Sequence, residues 1–250
     1  MKKIYLIPNF VTTANLFCGF YSIAASIRAD YVSASWAILA AGIFDMLDGR
    51  IARLAKATSQ FGVEYDSLSD LISFGAAPAL LLYQFALQPY DRLGFLAAFL
   101  FLACGAMRLA RFNVNSAVIP KHYFQGLPIP MAAGIVSTFM IFHHTTGWPS
   151  FISPFVLILT LLLASLMVST LRFPSLKELN WRSRSTFGYL FVGLLAMILV
   201  ATRPEITLFL LGCAYVLFSL GSNAVRLLLS DEGKEKMTDP RSPTSTYVRE

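Results

Sequence analysis

Apolar runs of about 20 residues recur along the chain, and each is long enough to cross a hydrocarbon core roughly 30 Å thick. Nothing else in the sequence constrains its fold as tightly. Of the 250 residues, 56% are hydrophobic and only 14% carry a charge. A soluble helical enzyme needs far more polar surface than that. The sequence therefore predicts an all-α, polytopic membrane bundle of about eight transmembrane helices. The expected spans are 7–28, 33–55, 61–87, 91–113, 128–145, 151–171, 186–202 and 204–229.

Basic residues set the orientation. When the joints between spans are assigned alternately to the two sides, Arg28, Arg92 and Arg203 fall on one side. The rest of the 20 Lys and Arg residues fall on the other. The excess marks the cytoplasmic side and puts both termini there. The net charge of +6 is thus read as topology and attraction to anionic lipid, and no nucleic-acid partner is expected. Asn9, Thr12, Thr13 and Asn15 interrupt any signal-peptide core, so the first span is expected to remain. Cys18, Cys104 and Cys213 stand singly in apolar helices, which fits packing and not a disulfide framework.

Against this background the stretch 45–70 is anomalous. It carries Asp45, Asp48, Asp66 and Asp70, spaced so that each pair shares a helical face. Two helices joined near Gly62 could bring all four together at the cytoplasmic end. Four carboxylates cannot all stay ionised at close quarters without a cation between them. A donor set of oxygen alone, with no His or Cys, suits Mg2+, Mn2+ or Ca2+. Gly49 and Ala52 leave the face beside the acids without bulk, while Arg53 could form an ion pair with one carboxylate or grip a phosphate. In the first span, Asn9, Thr12 and Asn15 make a polar stripe, serving either interhelical hydrogen bonds or this same site. Pro78 is expected to kink the third span. Arg108 and Arg111 share a face at the end of the fourth, where they could reach headgroups or bind an anionic substrate group. Two cations a few ångströms apart would clamp a pyrophosphate, so the residues alone point to metal-dependent phosphoryl transfer on a lipid. A divalent-cation transporter is the rival from another class.

The pattern Asp45-x2-Asp48-Gly49-x2-Ala52-Arg53-x8-Gly62-x3-Asp66-x3-Asp70 resembles the complete signature of the CDP-alcohol phosphotransferase family. The resemblance implies a CDP-linked substrate, two divalent cations (Mg2+ or Mn2+) and release of CMP. It further implies that Asp45, Asp48, Asp66 and Asp70 hold the metals, and that Asp70 also acts as general base. Asn9, Thr12, Gly49, Ala52, Arg53, Thr58 and Gly62 would border the nucleotide. Three further segments are similar to the integral-membrane phosphatidylserine synthases of bacteria and archaea. They are Pro8-Asn9-x2-Thr12-x2-Asn15-x3-Gly19, Arg108-Leu109-Ala110-Arg111-Phe112-Asn113 and Phe124-Gln125-Gly126-Leu127-Pro128-x-Pro130.

This branch implies CDP-diacylglycerol and L-serine as substrates, in a cell-membrane enzyme with its active site on the cytoplasmic face. Charge complementarity then nominates Arg108 or Arg111 for the serine carboxylate, and Asn113 and Gln125 for its ammonium. Glycerol 3-phosphate or inositol phosphate are the alternative acceptors within the family. The expected organisation is a transmembrane domain over 1–229, a catalytic core at about 5–135 and a disordered cytoplasmic tail over 230–250. A homodimer is implied by the family resemblance alone.

Overall fold

The computed structural model describes residues 6–54, 59–115, 123–147, 152–174, 193–194 and 202–238. Helices α1 (Leu6–Ile27) and α2 (Tyr31–Leu54) form a hairpin. Its turn is short because Ala29 adopts a left-handed conformation, φ 59°, and Asp30 then caps α2 by accepting from the Ser33 N–H at 3.1 Å. Hydrogen bonds from Ser33, side chain first and backbone second, hold the Asp30 carboxyl below its usual range.

The next column is helical but not uniform. It runs as α3 (Gln60–Asp70), a π-helical turn (Leu71–Ala76), α4 (Ala77–Leu82), a second π-helical turn (Tyr83–Leu87) and a 3-10 turn (Gln88–Tyr90). Ser59 starts α3 by accepting from the Gly62 N–H at 3.0 Å. The disturbance expected at Pro78 takes a specific form. Proline supplies no N–H and crowds the carbonyl four residues back, and the ladder widens just before it, with the Ala77 N–H reaching the Ile72 carbonyl. At Asp91 the chain reverses, with φ 47°.

Helix α5 (Asp91–Asn115) then returns antiparallel along the column. Three approaches fix this direction: Gly94 lies against the Leu87 carbonyl, Gly75 against Leu102, and Asn113 Nδ2 donates to Ser67 Oγ at 2.9 Å. Helices α6 (Ile129–Thr146), α7 (Ile152–Val168) and α8 (Pro204–Thr238) complete the described bundle. Its centre is apolar, with Phe74, Leu81, Phe101, Leu127, Ile129, Phe139, Leu163 and Met167 all buried.

Within a bilayer, burial of apolar groups drives helix association weakly, because lipid tails are as apolar as leucine. Close packing and interhelical hydrogen bonds carry it instead. The interface of α1 with α3 and its π-turn shows both. Ser69 Oγ donates to the Thr12 carbonyl at 3.1 Å and Ser73 Oγ to the Asn15 carbonyl at 3.0 Å. The two backbones meet at Gly19, where an added Cβ would stand 2.7 Å from Ser73 Cα. Only glycine fits there.

Among the described residues, four stretches are long and apolar enough to cross a membrane, namely Pro8–Ile27, Tyr31–Ile51, Gln60–Val114 and Ile206–Asn223. The chain is a helical membrane protein, but these four do not establish the expected eight spans. Gln60–Val114 is continuous by hydropathy yet folds into two limbs. The helix of α7 is shorter than the expected 151–171, and the span expected over 186–202 lies almost wholly outside the described residues. Helix α8 continues through Thr238, into the segment where a disordered tail is expected. Charges at Asp231/Lys234 and Glu232/Lys236 have the i, i+3 and i, i+4 spacing that favours helix.

An all-α reading also omits one small feature. Strands β1 (Tyr123–Gln125) and β2 (Arg172–Pro174) pair antiparallel, with Phe124 opposite Phe173. The Gly126 N–H extends the pairing to the Leu171 carbonyl at 2.9 Å. Gly126, at φ 77°, presses on the Met167 carbonyl, so no side chain fits there.

Gly19→Val should force α1 away from the π-turn. The expected loss is about 1–3 kcal/mol of stability, measured as a lower midpoint of denaturation in detergent. A midpoint equal to wild type would show that the two backbones separate freely.

Candidate metal and phosphotransfer site

The acidic residues predicted from the sequence converge. Asp45 and Asp48 come from the C-terminal half of α2, and Asp66 from the middle of α3. Each offers one carboxylate oxygen, and the three oxygens lie within 4.8 Å of one another. Asp70, one turn beyond Asp66, stands slightly apart from this trio but within electrostatic reach of Asp45 and Asp66. Asp48 and Asp70 are buried.

The stripe on α1 supplies the surrounding hydrogen bonds. Thr12 Oγ1 donates to Asp48 Oδ2 at 3.0 Å, and Asn15 Nδ2 donates to Asp70 Oδ1 at 3.1 Å. Thr12, expected to line the nucleotide, thus touches a carboxylate of the acidic cluster. Asn15, expected only as part of the polar stripe with Asn9 and Thr12, touches a second one. Tyr65, the residue immediately before Asp66, meets Thr13 Oγ1 through its Oη at 3.0 Å, a further tie between α3 and α1.

The cluster fits a divalent cation on its own chemistry. Its donors are all oxygens, and Asp66 Oδ1 is buried with no hydrogen-bond partner. An ionised carboxylate oxygen left so in a helical bundle costs several kcal/mol or more, unless a cation or a proton neutralises it.

Around the acids the expected vacancies are present in part. A Cβ added to Gly49 would meet nothing within 4 Å, so that face of α2 is open. A Cβ added to Gly62 would stand 3.2 Å from Ser59 Oγ and 3.4 Å from Asn9 Oδ1. Asn9 and Gly62 are therefore adjacent. Ala52 and Arg53 belong to the end of α2, but their side chains, like Thr58, lie outside the described residues.

The sequence model of the CDP-alcohol phosphatidyltransferase family matches residues 5–171, and this range contains the whole cluster. The chain belongs to that family. Among curated relatives, the CDP-diacylglycerol–serine O-phosphatidyltransferase of Helicobacter pylori is 36% identical over 225 residues, covering 88% of this chain and 92% of the relative. The enzyme of the same name from Bacillus subtilis is 35% identical over 173 residues, 69% of this chain and 92% of its own. An archaetidylserine synthase from Methanothermobacter thermautotrophicus is 36% identical over 170 residues, 67% and 69% of the two chains.

The second group of predicted site residues is divided in this phosphatidyltransferase. Arg108 is buried on α5, 5.5 Å from the Phe112 ring centroid, and interacts electrostatically with Asp70 and with Tyr215 of α8. Arg111 instead donates from Nη2 to the Val168 carbonyl at 2.8 Å, at the end of α7. Asn113 reaches Ser67, one residue from Asp66. Gln125 lies on β1, with its side chain outside the described set. Tyr215 is not among the site residues predicted from the sequence. A lone tyrosine in an apolar span more than 100 residues downstream of Arg108 gives no local signal.

Mn2+ added to the purified chain should bind, as a loss of the free-ion signal in electron paramagnetic resonance. Asp66→Asn should abolish binding at this cluster, and Thr12→Val should weaken it about 10- to 100-fold by releasing Asp48. Wild-type affinity in both variants would mean that the ion sits elsewhere.

Proposed function

We propose that this chain transfers a phosphatidyl group from CDP-diacylglycerol to L-serine, giving phosphatidylserine and CMP. The observation that carries the reading is the meeting of Asp45, Asp48 and Asp66, with Asp70 alongside, in a membrane protein of this family. The names of the relatives support serine as acceptor.

In this reading Asp45, Asp48, Asp66 and Asp70 would hold two divalent cations. When bound, Mg2+ or Mn2+ supplies neutralisation of pyrophosphate charge and Lewis-acid polarisation of the phosphoryl oxygens. The open face at Gly49 admits the nucleotide end of CDP-diacylglycerol, with Asn9, Thr12, Ala52, Arg53, Thr58 and Gly62 bordering it. Asp70 takes the proton from the serine hydroxyl. That oxygen then forms a bond to the phosphorus carrying diacylglycerol, and the bond from the same phosphorus to the CMP oxygen breaks. Burial of Asp48 and Asp70 limits competition by water.

Arg108 is the stronger candidate for the serine carboxylate. Its guanidinium is on the Asp70 side of α5, whereas that of Arg111 already binds α7. Asn113 and Gln125 remain candidates for the serine ammonium. The basic-residue asymmetry supports a multi-pass protein of the cell membrane, with both termini and the active site on the cytoplasmic side. A dimer fits the resemblance to the family.

CMP release from CDP-diacylglycerol by purified chain in mixed micelles tests the reaction. Release should require L-serine, stop with EDTA and return with Mg2+ or Mn2+. Preference for glycerol 3-phosphate or inositol phosphate would reassign the acceptor. Uptake of a divalent cation into vesicles, without CMP release, would favour a transporter. Asp70→Asn should lower kcat roughly 10²- to 10⁴-fold with little change in the KM for CDP-diacylglycerol. Arg108→Lys, which keeps the charge but loses the bidentate fork, should raise the serine KM about 10- to 100-fold. An unchanged serine KM would remove Arg108 from the acceptor subsite.

A further inference from the structure

Among the described residues, one side-chain donor reaches Asp70, and it comes from α1. Asn15 is fully buried, and its Nδ2 donates to Asp70 Oδ1 at 3.1 Å. An ionised carboxylate only accepts, so the amide must present its nitrogen to it. The Asn15 backbone is fixed as well, because Ser73 Oγ donates to its carbonyl at 3.0 Å. One turn on, Gly19 seats α1 against the backbone of Ser73. Ser73 itself belongs to the π-turn that begins directly after Asp70. The amide and the carboxylate are therefore held from both helices.

The other end of the amide is unusual. Asn15 Oδ1 is buried and has no hydrogen-bond partner. An unpartnered buried acceptor costs stability, so an interface selected for stability alone would carry an apolar residue of similar size here. What the amide gains in return lies at its nitrogen, on Asp70.

We infer that Asn15 is a positioning residue for phosphatidyl transfer. Its N–H engages Oδ1 of Asp70 and fixes the plane of the carboxylate, which leaves Oδ2 to receive the proton of the acceptor hydroxyl. The acceptor O–H bond breaks, a new O–H bond forms on Oδ2, and Asn15 keeps both of its amide hydrogens throughout. This role rests on the reading of Asp70 as the general base.

Asn15→Leu tests it, with Asn15→Ala in parallel in case the leucine methyls do not fit. The leucine removes one unpartnered oxygen, its own predecessor's, and creates another on Asp70. The thermal unfolding midpoint in detergent with chelator should therefore stay close to wild type. In the assay for CMP release, kcat should fall about 10- to 100-fold, with the KM for CDP-diacylglycerol unchanged. Placed on an Asp70→Asn background, Asn15→Leu should lower kcat no further, because both changes act through one carboxylate.

Losses that multiply in the double variant, or a midpoint that falls together with kcat, would overturn the positioning role. So would failure of both Asn15 variants to fold, since the amide would then be structural. An active wild type with an unaffected Asn15→Leu would remove Asn15 alone. A wild type inert towards every acceptor would remove the functional reading first, and the role of Asn15 with it.

Discussion

Mutual repulsion among Asp45, Asp48, Asp66 and Asp70 is the constraint on which the rest of this structure depends. Apolar helices do not bring negative charges together of their own accord, and a bilayer offers little water to screen them. The bundle must therefore force the meeting. It does so with α1, whose Thr12 donates to Asp48 while Ser69 and Ser73 donate back to its carbonyls. The outcome is an acidic surface held between three helices, with an open flank at Gly49.

This division of labour explains why the polar residues of the first three helices are so concentrated. Interhelical hydrogen bonds in membranes are individually weak, averaging about 0.6 kcal/mol. Several acting at one interface, together with the close approach at Gly19, can still hold groups that repel one another. The C-terminal helices contribute differently. Helix α7 receives Arg111 at its final carbonyls, and α8 places Tyr215 near Arg108. They engage Arg111 and Arg108 without adding a carboxylate to the cluster.

Much of this was legible in the sequence because the decisive information is local. Asp45 and Asp48 share a face by their i, i+3 spacing, as do Asp66 and Asp70 by i, i+4. Gly62 lies between the pairs, next to the Ser59 cap, and the polar stripe of α1 repeats every three residues. What could not be read was whatever depends on distant partners. Tyr215 and Arg108 are neighbours only because α8 packs across the bundle. The tie from Arg111 to Val168 spans 57 residues, and a basic residue at a helix end looks the same whether it meets a headgroup, a substrate or a carbonyl. The π-turn at Leu71–Ala76 was foreshadowed by Pro78, but its widened ladder was not, since proline alone does not specify how a helix yields.

The pairing of β1 with β2 bears on how the molecule comes to exist. Gln125 lies opposite Arg172, so the segment between α5 and α6 stays unpaired until synthesis has passed α7. During translation at roughly 5–20 residues per second, the acidic helices reach the membrane seconds before this clasp can close. The order of insertion thus separates the birth of the charged cluster from the closing of the β1–β2 pair.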